Sequence, residues 1–154
     1  MTRWFLRTLR YGILLLALLL AACAGNGAPQ PPQIAYGHDM CAQCGMTIDD
    51  ERFAAALVMQ DGKTRVFDDA GEMFLYQAEH STETIRAWYV HDYTTKAWVN
   101  GEKAIYVVSD KVRSPMVTGV AAFVERSAAE SFGKEMSGKV LSFEETRTAL
   151  QAHP

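Results

Sequence analysis

The chain has 154 residues, of which 49% are hydrophobic, 21% charged and 10% aromatic, with a formal net charge of −3. That length fits one domain or two small ones, and the composition is that of a folded chain rather than a disordered one. The acidic balance leaves no basic footprint for nucleic acid, and the cysteines at 23, 41 and 44 are too few for a disulfide scaffold.

Residues 1–22 read as a secretory signal. Arg3, Arg7 and Arg10 precede a leucine-rich run from Tyr11 to Ala22, and small residues close it. The run is shorter than the roughly 20 apolar residues of a membrane span. Leu20-Ala21-Ala22-Cys23 looks like a bacterial lipobox. Cys23 is then the acylated first residue of the mature chain, which its lipid anchors without a spanning helix. The alternative is an ordinary signal peptide with an incidental cysteine. Ala24, where aspartate would signal inner-membrane retention, points to the outer membrane and a site facing the periplasm. Cleavage removes three arginines and no acid, leaving a net charge of −6. Cys41 and Cys44 remain as the unmodified thiols, in a compartment where thiols oxidise.

Residues 23–37, with Pro29, Pro31 and Pro32, read as a lipidated flexible tether. The folded part spans 38–154. Phe53–Gln60 is a short apolar run expected to be a buried strand. Asp61-Gly62 is a hairpin turn, and Thr64–Asp68 is the returning strand. Asp69 and Glu72 have the spacing of a capping box before a helix to about His80. Thr84–Tyr93 is a strand rich in Ile, Trp, Tyr and Val. Strands are expected again at Ala104–Ser109 and Val117–Val124. A second capping box at Ser127 and Glu130 opens a helix to Met136, a strand follows at Lys139–Phe143, and a short helix at Glu144–Ala149. The order repeats. Setting Asp69 against Ser127 aligns Val66 with Val124 and Phe74 with Phe132. The expected class is therefore α+β, with tandem duplicated β-β-α-β units at 38–95 and 96–154 packed together.

The segment His38-Asp-Met-Cys-Ala-Gln-Cys-Gly-Met46 places an imidazole, a carboxylate, two thiols and two thioethers in a short stretch that no apolar periodicity explains. Thiolate and thioether are soft ligands and select Cu(I). Zinc prefers four thiolate or imidazole ligands, and there is no second cysteine pair. Other readings of Cys41 and Cys44 are a redox-active Cys-x-x-Cys and a structural disulfide. Against the first, the motif follows a Pro-rich stretch, and Thr47-Ile-Asp-Asp opens no apolar helix. Met116, in Ser-Pro-Met-Val-Thr-Gly, sits in a loop after a φ-restricting proline. Periodicity alone would place it on the core, as it does Met59, Met73 and Met136. Asp68 and Asp69 read as turn and capping residues, and His80 and His91 have no partner motif.

A lipobox, Cys-x-x-Cys-Gly-Met, Phe-Asp-Asp before a helix and Pro-Met in a late loop together resemble the NosL family, the accessory lipoproteins of nitrous oxide reductase. The resemblance runs from about His38 to Phe143. It implies a paired β-β-α-β fold and a non-enzymatic periplasmic Cu(I) chaperone. Its partners would be a copper-acceptor protein, nitrous oxide reductase, and a dedicated ABC-transporter complex. Cys44 and Met46 match the family's Cys-x-Met ligands. Met116 matches a family methionine in a glycine-rich loop, although no glycine follows it directly here. Cys41 matches only some relatives. The family also has members outside denitrification. The alternatives of other class are an extracytoplasmic thiol-disulfide oxidoreductase using Cys41 and Cys44, and a structural lipoprotein without metal.

Overall fold

The computed structural model describes residues 28–152. The signal segment, Cys23 and the first residues of the expected tether lie outside them. No helix among the described residues is long and apolar enough to cross a membrane.

β1 (Ala55–Met59) is buried at every residue and lies between two neighbours, which is why it reads as a continuous apolar run rather than an alternating one. Gly62 at φ +84° makes the turn into β2 (Thr64–Phe67). Helix α1 (Ala70–Glu79) follows, and β3 (Ile85–His91) returns to pair with β1, Leu57 opposite Trp88. A short β4 (Trp98–Asn100), absent from the sequence reading, closes an antiparallel sheet of order β2-β1-β3-β4. Three residues are too few for periodicity to show.

After a 3-10 turn at Gly101–Lys103 come β5 (Ile105–Val108), β6 (Val120–Phe123), α2 (Arg126–Glu135), β7 (Lys139–Leu141) and α3 (Phe143–Gln151). The second sheet is also antiparallel, in the order β6-β5-β7. In both sheets a hairpin strand pair is followed by a helix and a strand that returns to the first strand's free side.

Several boundaries differ from expectation. β6 starts at Val120, so residues 114–119 form a loop. Ser127 is not a cap: α2 begins at Arg126 with Glu125 at its N-cap and no side-chain bond there. The two N-caps are Asp69 and Glu125, so the expected pairing of Asp69 with Ser127 at the helix starts does not hold. The helix packs closely on the second sheet: Ala129 is buried and a Cβ on Gly133 would lie 3.0 Å from Val140. The capping box is at Ser142 and Glu145, opening α3. It ends β7 early.

Phe74 of α1 joins the layers. Its ring lies 5.8 Å from Trp88 of the first sheet, 5.5 Å from Tyr106 of the second and 5.2 Å from Phe143 of α3. A single core therefore runs between the sheets, and truncating Phe74 to alanine should cost about 3–5 kcal/mol. A smaller cluster of Phe53, Val107, Ala121, Phe123 and Ala129 lies under α2. Asp92, buried at the end of β3, accepts from the Val124 backbone N–H at 2.8 Å and ties the sheets a second time.

The expected tether is partly folded. Ile34 and Tyr36 pack against the core, and the Tyr36 hydroxyl lies 2.9 Å from His91 Nε2. The Tyr89 hydroxyl donates to the Pro29 carbonyl. Packed chain thus begins upstream of His38.

Candidate metal site

The cysteines sit on a tight loop. Met40 and Thr47 form an isolated antiparallel bridge, the Cys41 N–H donates to the Met46 carbonyl at 2.8 Å, and the Gly45 N–H donates to the Cys41 carbonyl at 3.0 Å. Gly45 takes φ +71°, the left-handed conformation that a side chain disfavours. The loop is fixed to β2 by the Ala42 N–H on the Val66 carbonyl, and to α1 by Gln43 on Glu79 at 3.1 Å.

This docking aims both thiols at the start of α1. The buried Cys41 donates to Glu72 Oε2 at 2.9 Å. The half-buried Cys44 has its sulfur 3.9 Å from both oxygens of the buried Asp68. One donor atom from each of Cys41, Cys44, Asp68 and Glu72 lies within 4.8 Å of the other three. Glu72 thus serves the cysteine loop rather than a capping box: Asp69 alone caps α1, accepting from the Gly71 N–H at 2.6 Å.

Sequence reasoning missed Asp68 and Glu72. Along the chain both read as ordinary helix-start acids, and only the docked 40–47 loop shows that they face the thiols.

Burial is the largest influence on the thiols. It pushes both Cys41 and Cys44 above the usual thiol range, and Glu72 adds to the rise in each. Burial also raises Glu72, with Asp68 beside it, while the thiols act in the opposite direction. The two thiols therefore keep their protons until a cation replaces them. Both cysteines are free, so no disulfide accounts for their proximity.

The other candidates fall into two groups. Met46 is 55% exposed at the rim of the cysteine loop. Met116 is half-buried, and its loop rests on the same helix start: the Met116 N–H lies 3.4 Å from Asp69 Oδ2, and Thr118 Oγ1 donates to Asp69 Oδ1. The loops carrying Cys44 and Met116 therefore meet adjacent residues, Asp68 and Asp69. His38 and Met40 are exposed. Met59 and Met73 are buried in the core, as periodicity required. His80 stacks on Tyr76, and His91 serves Tyr36.

No curated protein matches the chain. A solved structure, the crystal structure of the copper chaperone NosL from Shewanella denitrificans, shares the fold with a TM-score of 0.68 at 23% identity, covering 77% of this chain and 96% of that one. The model of the NosL family matches residues 33–150. That match spans most of the sequence, and the chain belongs to the NosL family.

Proposed function

We propose that the protein is a membrane-anchored Cu(I) metallochaperone that hands copper to an acceptor by ligand exchange, without turnover of a substrate. One observation carries this reading: in a NosL-family chain, two free thiols converge with two buried acids beside the loop of Met116. The chemistry of a soft cation's cargo site supports it further, since thiolate and thioether donors favour Cu(I). Cys44 is the principal ligand, Met46 and Met116 complete a low-coordinate site, and Cys41 is an additional thiolate. Asp68 and Glu72 offset the cation's charge. Exposed Met46 leaves one side open to an incoming sulfur or imidazole of the acceptor.

The acceptor in this reading is nitrous oxide reductase, approached through an ABC-transporter assembly complex, as the family resemblance implies. The protein is anchored through acylated Cys23, on the outer membrane and facing the periplasm. The two β-β-α-β units are copies of one ancestral unit; the shared placement of the first strand in the middle of each sheet supports this.

A second reading has a specific basis. Two thiols and two carboxylates supply four donors, which also suits Zn(II). A thiol oxidoreductase is disfavoured, because burial and neighbouring acids raise both thiols, whereas redox-active pairs have lowered ones.

A competition titration of the reduced protein against a chromogenic Cu(I) chelator, repeated with Zn(II) present, tests the reading. One Cu(I) should bind per chain and resist displacement by Zn(II). Cys44→Ser and Met116→Ala should weaken it by about 10–100-fold and about tenfold respectively. Unchanged affinity in both variants rejects the site. Transfer from the loaded protein to copper-free nitrous oxide reductase tests the client.

A further inference from the structure

Away from the thiols, a cleft of about 580 Å³ opens between α3, the β5–β7 face and the base of the Met116 loop. Its origin is the strand register. Tyr106 pairs with Leu141 and Val108 with Lys139, so all four side chains share one sheet face. α3 packs on that face through Phe143 and Leu150, but the helix ends at Gln151. Val108, Met136, Leu141, Ala149 and Leu150 consequently line the cleft while only partly buried.

Two lysines flank this apolar floor. Lys111 Nζ donates to Ser137 Oγ at 2.8 Å, and Lys139 is exposed. Among the described residues neither forms an ion pair with an acid. Asp110 also lines the cleft, so the lysines outnumber the acids there, in a chain whose formal net charge is −3. Unpaired ammonium groups beside half-buried aliphatic side chains complement a segment that alternates carboxylate and aliphatic residues. The surface is concave, whereas a bilayer is met by protruding apolar and basic groups.

One wall of the cleft is shared with the metal-site loop. Thr118 lines the cleft and donates its hydroxyl to Asp69, and the Ser109 N–H, also on the cleft, donates to the Gly119 carbonyl at 3.0 Å. An occupant of the cleft would therefore touch Thr118, on the loop that carries Met116.

We propose that this cleft is the docking groove for an acidic, aliphatic segment of the protein that exchanges copper with this one. Only the identity of that partner rests on the chaperone reading; the chemistry of the groove stands without it. Docking there would set the partner against the Thr118 end of the loop that carries Met116.

The test uses the full chain with the peptide acetyl-Asp-Leu-Glu-Leu-Asp-amide, its counterpart with lysine at each acidic position, and phosphatidylglycerol vesicles. Methyl NMR with the acidic peptide should shift Val108, Leu150 and Met136, and then Met116. Lys111→Glu with Lys139→Glu should weaken binding at least about tenfold, whereas Lys111→Arg with Lys139→Arg should preserve it. Both pairs should keep Cu(I) stoichiometry, which also reports that they fold. Equal binding of the basic peptide, shifts confined to other surfaces, or binding to vesicles alone would overturn the proposal. If Cu(I) binds and the acidic peptide moves none of these methyls, the groove assignment fails alone. If the peptide binds and Cu(I) does not, the chaperone reading fails and the groove stands.

Discussion

The Thr118 hydroxyl donates to the carboxylate of Asp69, which caps α1. Through this bond the second sheet's loop is tied to the helix whose first turn holds Glu72. Asp69 is fully buried and also receives the Gly71 and Met116 N–H groups. Asp69→Ala removes a cap and leaves buried donors without partners, so unfolding stability in urea should fall by about 2–4 kcal/mol. Asp69→Asn, which keeps an acceptor oxygen, should lose less. Cu(I) affinity should fall with the stability in both, because the Met116 loop loses its support.

Gly71 is required by closeness rather than by backbone angle. A Cβ there would collide with the Thr118 side chain. Gly71→Ala should push the 114–119 loop off α1 and cost about 1–3 kcal/mol. The double variant with Thr118→Ser removes the methyl that a new Cβ also meets, and should recover part of the loss. A thermal-shift comparison of the three proteins measures it.

The raised thiols set the pH dependence. Below their folded-state values, each thiol that binds copper releases one proton, so the logarithm of affinity should rise by about one per pH unit per liganding thiol. A slope near two between pH 6 and 8 makes Cys41 a ligand, and Cys41→Ser should halve it. In the metal-free protein the sign is opposite for stability. A thiol held protonated by the fold contributes stability below the ordinary range near about 8.5, and that contribution is lost as pH rises above it. Oxidation of Cys41 and Cys44 to a disulfide should abolish Cu(I) binding, and dithiothreitol should restore it.

His91 gives a separate acid limit. Its Nδ1 lies 2.6 Å from the Lys96 carbonyl and its Nε2 lies 2.9 Å from the Tyr36 hydroxyl, so the neutral ring donates from Nδ1 and accepts at Nε2. Burial lowers its pKa. Stability from the neutral ring is therefore present above the ordinary value near about 6.5, and is lost as pH falls through the lower folded-state value. The thermal midpoint should drop between pH 7 and 5, and His91→Gln should flatten that drop.

The strands and helices that the chain announced locally were those with long apolar runs or strong turns: β1 through Ala55–Met59, the Asp61-Gly62 hairpin, and α1 behind Asp69. β4 and the true start of α2 were hidden, the first by its brevity and the second because no side chain bonds at the Glu125 N-cap to announce it. The 38–46 cluster marked Cys41, Cys44 and Met46 as soft donors through their types and closeness along the chain, whereas Met116 joined them only through the family resemblance.

The acids could not be found in that way. Asp68 and Glu72 look like ordinary helix-start residues along the chain. They join the candidate site when the 40–47 loop docks on β2 and α1 and takes them out of water with two thiols. By itself the sequence determined most of the elements and which donors are soft, since the first follow from local patterning and the second from sulfur chemistry. Tertiary structure alone decided that the Cys44 and Met116 loops meet at Asp68 and Asp69, because proximity across two sheets depends on how Phe74 and the shared core bring the layers together.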